Sequence, residues 1–372
     1  MLKGKVVAAL SGGVDSSVAA LLLKEAGYEV IGITMHLWCE EKWGPVNQRR
    51  PCCSMDSIHN AEQVCHLLGI PFYVLNLEKE FQQYVVDYFC QEYRQGRTPN
   101  PCIACNQYIK SHFLLHHSLA LGAQYLATGH YARIIFSQNR YHLLKAGDAN
   151  KDQSYVLYML GQEELRYLLF PIGNYSKAEV RHLARDRELP VADKPDSQDL
   201  CFISDDYRNF LNRFHPSFPG DIVDTKGKVI KKHQGLFRYT VGQRYTAKTH
   251  PDERLYILRI DPIRNQITVG REDGLYTQKL TAQGIKWVSG IAPEEPITIT
   301  AKIRYNSPET SAILYPHPDF VEVIFDQPQR AVTPGQAVVF YQGDEVLGGG
   351  TICDPELLFE SKPTYSLNYW KR

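Results

Sequence analysis

Three cysteines in polar, proline-bearing settings and one glycine-serine turn have the types and spacing to do chemistry. The turn is Ser11-Gly12-Gly13-Val14-Asp15-Ser16-Ser17. Gly12 and Gly13 admit backbone torsions closed to other residues and let main-chain N–H groups close on an anion, while Ser11, Ser16 and Ser17 add hydroxyl donors. Residues 5–10 before it form an apolar run without alternation, as in a parallel strand covered on both faces, and residues 18–24 continue at helical spacing. The positive end of that helix favours the same anion. The turn therefore reads as a phosphate cradle. An ordinary strand-to-helix turn capped by Asp15 or Ser16 is the plain alternative, and the full SGGVDSS string weighs against it. The turn lacks the Lys of GxxxxGK[ST] and the third glycine of GxGxxG, which excludes a Walker loop and a dinucleotide fingerprint.

The cysteines fall in two distant regions. Cys102 and Cys105 make a CxxC in GRTPNPCIACNQYIK, between a proline-rich loop and a helix start, and Cys201 follows Pro195 in KPDSQDLCFI. A helix start lowers the pKa of a thiol, and the thiolate is both the nucleophile and the metal ligand. A single CxxC does not support a four-cysteine zinc ribbon, although Cys52, Cys53 and His59 could contribute ligands. Cys39, Cys65, Cys90 and Cys353 read as small buried hydrophobes.

The elements that must position these groups change character twice along the 372 residues, a length that calls for two or three domains. Up to about residue 200, strand-like runs (VVAAL, VIGIT, FYVLNL, YLATGH) alternate with helical stretches at 58–68, 110–121 and 177–188, the order of a doubly wound α/β parallel sheet. From about 207 short strands and turns suggest a small β-rich domain, with a reversal at Asp261-Pro262 and Arg264-Asn265. From about 283 alternating strands separated by Pro and Gly suggest a compact β-barrel. The expected domains are 1–206, 207–282 and 283–372. Net charge is zero, yet residues 226–264 carry ten Lys and Arg against three Asp and Glu, with Tyr239, Tyr245 and Tyr256 interleaved. Such a mixture suits a phosphate backbone and stacked bases, and a solvated β-face looks similar. Zero net charge argues against nonspecific DNA coating and for a structured RNA. No apolar run approaches the roughly 20 residues of a membrane span, and the N-terminus leads into a strand, not a cleavable signal. Nine cysteines, an odd number, fit a reducing compartment. The expectation is a cytoplasmic protein with no membrane partner.

The loop at residues 8–17 resembles that of the ATP pyrophosphatases. It implies that Ala8, Ala9, Leu10, Ser11, Gly12, Gly13, Val14, Asp15, Ser16 and Ser17 surround ATP, with Asp15 on the Mg²⁺ side. With GRTPNPxxxCN, ATGHYARI, KDQSYVLYML, DSQDLCFI, HQGLFRYTVGQR and GQAVVFYQGDEVLGGGTI added, the chain resembles the tRNA-specific 2-thiouridylase family over nearly its whole length. The resemblance implies adenylation of a wobble uridine at its C2 oxygen and displacement of AMP by persulfide sulfur. Cys201 would carry the persulfide, and Cys105 would release the sulfur and close a Cys105–Cys201 disulfide. Met35 and Gly129 would line the adenosine pocket, and His130 with Asn100 and Pro101 would lie near the target base. Lys151, Asp152 and Gln153 would touch tRNA, and Arg304, Tyr305 and Gln336 would reach it from the last domain. A cysteine desulfurase or sulfur-relay protein would supply the sulfur.

One departure from the family pattern matters. Many members carry aspartate where this chain has Cys102, so the acid–base or orienting work credited to that carboxylate has no counterpart here. Cys102, Cys105 and Cys201 would instead be three ligands for a [4Fe–4S] cluster that carries sulfide in place of the persulfide. Two other readings compete with the thiolase: an amide-forming ligase with the same loop, for which three thiols have no purpose, and a tRNA-binding protein without turnover, against which the intact loop argues.

Overall fold

The structure is a computed structural model describing residues 3–38, 55–196, 200–203, 206–214, 217–246 and 254–354. The described residues up to 214 build a parallel sheet with helices on both sides. Its elements are β1 (Lys5–Ala9), α1 (Val14–Glu25), β2 (Glu29–His36), α2 (Met55–Leu68), β3 (Phe72–Asn76), the long helices α3 (78–94) and α4 (101–120), and β4 (Tyr125–Ala127). A hairpin of β5 (Arg133–Ser137) and β6 (Arg140–Leu144), then β7 (Leu168–Leu169), α5 (Lys177–Asp186) and α6 (Tyr207–Phe214) follow. Strand order is β3-β2-β1-β4-β7, all parallel. Val6 and Val7 in β1 are fully buried, because helices cover both faces. The chain steps outward from β1 to β2 and β3, then returns to β4 on the other side of β1. This reversal opens a crevice at the carboxyl ends of β1 and β4, where α/β sheets bind ligands.

The middle unit is a sheet of β8 (Gly220–Val223), β9 (Val229–His233), β10 (Arg244–Tyr245), β11 (Leu255–Asp261) and β12 (Gln266–Gly270), in the order β10-β11-β12-β8-β9. The expected reversal between β11 and β12 is present, with Asn265 at φ 49° and Asp261 Oδ1 accepting from the Ile263 and Arg264 amides. The last unit is a barrel of β13 (Tyr276–Trp287), β14 (Ile297–Lys302), β15 (Thr310–Pro316), β16 (Phe320–Arg330), β17 (Ala337–Gln342) and β18 (Glu345–Cys353). It closes because β13 pairs with both β16 and β18.

Three features depart from the sequence expectation. Chain after 206 opens with a helix: Phe210 and Leu211 of α6 pack with Trp38, Phe81, Phe89 and Phe202, in the first domain's aromatic cluster. The boundary read between 282 and 283 falls inside β13, whose whole length pairs with barrel strands. The β5–β6 hairpin, from the first domain, joins the barrel sheet through the Glu345–Leu144 bridge. The barrel also lends Ala337, Val339, Tyr341 and Val346 to one core of the first domain. The described residues contain no helix long and apolar enough to cross a membrane.

Candidate active site

The turn after β1 is held from behind. Leu10 N–H donates to the Ile33 carbonyl (2.8 Å), extending the strand register one residue. Gly12 has φ 67°, and a Cβ there would lie 2.2 Å from the Ser57 carbonyl oxygen, so only glycine fits. Ser16 and Ser17 hydroxyls donate to the Gly13 carbonyl (3.2 and 2.9 Å), and Ser16 Oγ accepts from the Ser11 amide (3.2 Å). Ala8, Leu10, Val14, Ser16 and Ser17 are buried. These side chains therefore shape the loop, and its backbone amides are what it offers to an anion. Gly129 follows β4 so closely against α1 that a Cβ would sit 2.6 Å from the Ser16 nitrogen. Met35, near the end of β2, packs half-buried between two cores.

Asp15 lies at the heart of an ion cluster. Lys177 Nζ donates to both its oxygens (2.8 Å each), and Tyr131 Oη donates to Oδ1 (2.7 Å). Burial first, then Asp15, push the Tyr131 phenol far up, so it remains a donor. Lys177 also pairs with Asp196 (2.8 Å), which Lys151 and Arg181 reach as well (2.9 Å each). Burial opposes the charge on Asp196, but hydrogen bonds from Lys177 and Lys151 outweigh it and hold the carboxyl down at about 2. Lys194 Nζ donates to the Gly12 carbonyl (2.8 Å). The segment leading into Cys201 is thus tied twice to the loop after β1.

The other thiols stand on α4. Arg97 closes on Glu92 through both its Nε (2.7 Å) and a second guanidinium nitrogen, which fixes the entry to the loop. Thr98 gives its amide to the Pro334 carbonyl (2.9 Å) and accepts from Gln336 Nε2 (2.7 Å). Asn100 caps the helix through the Cys102 amide (3.1 Å), with Pro101 at its first position. At Cys105 the helix widens into a π segment, Cys105–Leu114. Such segments recur at functional sites because they redirect side chains. Cys105 and Cys201 both pack, partly buried, against the aromatic cluster of Trp38, Phe81 and Phe202. Cys102 is exposed. Five residues beyond Cys105, Lys110 Nζ lies 3.2 Å from His130 Nε2, and Thr128 Oγ1 lies 2.7 Å from Nδ1. Burial first, then Lys110, hold His130 well below its usual range, so the ring is neutral. Lys110 can only donate, which assigns the ring proton to Nδ1, facing Thr128.

The proposed metal ligands make no metal-ion site among the described residues. Cys102, Cys105 and Cys201 form no group able to hold a metal ion, nor does any set of three His, Cys, Asp or Glu among the described residues. The three are thiols in this structure. Cys52 and Cys53 lie outside the described residues, and His59 belongs to no such group. Both oxygens of Asp15, read as the Mg²⁺-side carboxylate, accept from Lys177.

Most residues expected at tRNA have partners inside the protein. Asp152 accepts from the Ala146 and Ser154 amides and the Ser154 hydroxyl (3.0, 3.1 and 2.8 Å), and Gln153 Oε1 from the Tyr131 amide (3.0 Å). Arg304 donates to the Arg330 and Ala331 carbonyls. Tyr305 is 37% exposed, and partial burial of its phenol first, then Asp152 and Cys102, raise its pKa, which sets the barrel beside the CxxC helix. In the basic stretch, Lys226, Lys228, Lys231 and Arg244 are exposed. The interleaved tyrosines are structural instead: Tyr239 and Tyr245 pack on the middle-domain core, and the Arg330 guanidinium covers the Tyr256 ring at 5.4 Å. Sequence reading missed Lys110, Thr98, Tyr131, Lys177, Lys194 and Asp196. Lys177 did leave a trace: it is a cation at the first residue of a helix, where the dipole disfavours it.

Comparison with known proteins bears on the whole chain. Residues 4–205 match the family model described as a tRNA methyl transferase HUP domain, 208–271 a tRNA methyl transferase PRC-barrel domain, and 277–352 an aminomethyltransferase beta-barrel domain. A curated protein of Acetivibrio thermocellus, named tRNA-specific 2-thiouridylase MnmA, is 48% identical over 95% of this chain and 100% of its own. One of the same name from Pelotomaculum thermopropionicum is 48% identical over 95% of this chain and 98% of its own.

Proposed function

This chain belongs to the tRNA-specific 2-thiouridylase family, and on that premise we propose how its residues divide the work of ATP-dependent 2-thiolation of a tRNA uridine. The protein is a tRNA-uridine 2-sulfurtransferase of the ATP pyrophosphatase type, and it uses ATP. In the first step the C2 oxygen of the wobble uridine attacks the α-phosphorus, the bond to the bridging oxygen breaks, and pyrophosphate leaves. The amides of residues 11–17 receive the pyrophosphate end, and Met35 and Gly129 border the adenosine. Mg²⁺ entering with ATP offsets phosphate charge, and Asp15 is the carboxylate at that end.

In the second step the outer sulfur of a Cys201 persulfide attacks C2, and AMP leaves with the oxygen. The Cys105 thiolate then attacks the inner sulfur, the S–S bond breaks, and the sulfur stays on the uridine. The resulting Cys105–Cys201 disulfide is reopened by an external dithiol. A cysteine desulfurase or a sulfur-relay protein reloads Cys201. No step is routed through a [4Fe–4S] cluster, since no metal-holding group of three such ligands is found among the described residues. Neutral His130, with Asn100 and Pro101, borders the base, and Lys151 and Tyr305 meet the tRNA directly. Asp152, Gln153, Arg304 and Gln336 hold the walls of that seat. Residues 1–206 serve as the catalytic unit, and the two β-rich units grip the tRNA in the cytoplasm.

What carries this reading is one juxtaposition: the loop that takes ATP is bonded through Lys194 and Lys177 to the segment that leads to Cys201. The test is an anaerobic reaction of purified protein with ATP, Mg²⁺, a persulfide-generating sulfur source and unmodified tRNA, read by mass spectrometry alongside bound iron. Thiouridine forms in iron-free protein and in Cys102→Ser. Activity that tracks iron and disappears on chelation overturns the persulfide route.

A further inference from the structure

We propose that Lys177 is a pyrophosphate-binding residue of the ATP site, its ammonium held in place by the Asp15 carboxylate. The inference rests on the reading that residues 11–17 receive the phosphate end of ATP.

The loop itself contains no lysine, so the charge that leaves as pyrophosphate must be met from elsewhere. Lys177 is at that place. Its ammonium bonds both oxygens of Asp15, the second residue of α1, and its side chain is only 13% exposed. The Tyr131 ring lies beneath it at 5.9 Å, and the Tyr131 hydroxyl shares the same carboxylate. This is a built seat for one cation, not a flexible surface pair.

Local sequence rules do not explain the seat. Lys177 begins α5, directly after the Ser176 cap, where helix amides already present partial positive charge. A cation there is locally unfavourable, and such inconsistencies mark functional positions when tertiary contacts sustain them.

The hydrogen-bond inventory also leaves room for an anion. An ammonium has three donors, and those of Lys177 go to Asp15 Oδ1, Asp15 Oδ2 and Asp196. The third can pass to a phosphate oxygen without stranding a charge, because Asp196 keeps Lys151 and Arg181, and Asp15 keeps Tyr131 and the rest of Lys177.

The test is equilibrium binding of inorganic pyrophosphate and of AMP to the full-length protein with no divalent metal present, so that neither turnover nor Mg²⁺ enters the readout. In Lys177→Met, pyrophosphate binding weakens roughly ten- to a hundredfold, as for a lost charged hydrogen bond, while AMP binding is unchanged. Lys177→Arg retains part of the pyrophosphate affinity. If removing the cation leaves Asp15 uncompensated and unfolds the protein, the Asp15→Asn/Lys177→Met double variant restores neutrality and shows the same selective loss. Equal pyrophosphate affinity in wild type and variant overturns the proposal and leaves the ATP reading standing. Parallel loss of AMP makes Lys177 a structural prop and also overturns it. Failure of the wild type to bind pyrophosphate in competition with ATP overturns both.

Discussion

At the scale of single residues, burial sorts the cysteines. It pushes Cys65 and Cys90 up to about 12 and Cys353 to about 11, so these three remain protonated at neutral pH and serve as packing. The proposed reactive pair, Cys105 and Cys201, is drawn from the three remaining described thiols, Cys102, Cys105 and Cys201. Cys201→Ser abolishes thiouridine while tRNA-dependent pyrophosphate release continues; if thiouridine persists in that variant, the persulfide assignment is wrong. Asp196 provides a second test at this scale. Its folded pKa of about 2 lies below the ordinary 3.8, so its ion pairs stabilise the fold above that ordinary value and stop doing so as pH falls toward 2. The difference in thermal midpoint between wild type and Asp196→Asn stays constant above pH 4 and shrinks between pH 4 and 2. A difference unaffected by acid would mean that the ion cluster contributes nothing.

At the scale of elements, two close approaches position the chemistry. Gly129 brings the end of β4 against the start of α1, and a methyl group there would press on the Ser16 backbone. Gly129→Ala costs about 1–3 kcal/mol of stability by overpacking and weakens ATP binding, as read by thermal unfolding with and without nucleotide. Full ATP-induced stabilisation in that variant would separate β4 from the site. The second approach joins the barrel to the cysteine loop, where Pro334 and Gln336 grip both backbone groups of Thr98. Gln336→Ala removes one bond worth about 0.5–1.5 kcal/mol. Thiolation slows because the loop before Cys105 loosens, while nucleotide affinity is retained. A change confined to tRNA affinity would show that Gln336 contacts the substrate instead.

At the scale of the whole molecule, the first domain and the barrel share a core and a sheet. The β5–β6 hairpin is tied to the barrel by Arg133–Asp344 and His142–Glu345, with Lys145–Glu309 just beyond β6. The middle domain offers exposed Lys226, Lys228 and Lys231 along and beside β9, an edge strand. Edge lysines also discourage strand pairing, so binding must be measured to separate the two roles. For Lys228→Glu, tRNA affinity drops, and the log–log salt dependence loses roughly one unit of slope if that lysine meets a phosphate. An unchanged slope assigns Lys228 to edge protection.

Much of this protein was written locally. Gly12, Gly13 and the serines specify a phosphate turn because their torsions and hydroxyls act within a few residues, and the apolar run before them specifies a strand buried on both faces. The pairing of β11 with β12 is local as well, set by Asp261 and Asn265. Even the placement of Cys105 after a Pro-bearing helix start could be read in sequence. Tertiary structure alone decided the rest. Lys177 reaches Asp15 across 162 positions, Gln336 reaches Thr98 across 238, and the hairpin at 133–144 finds its barrel partner about 200 residues later. No periodicity or short motif encodes such meetings. Each depends on which charges and backbone groups the folded chain must pair once water is excluded, and that balance exists only when all the elements are in place.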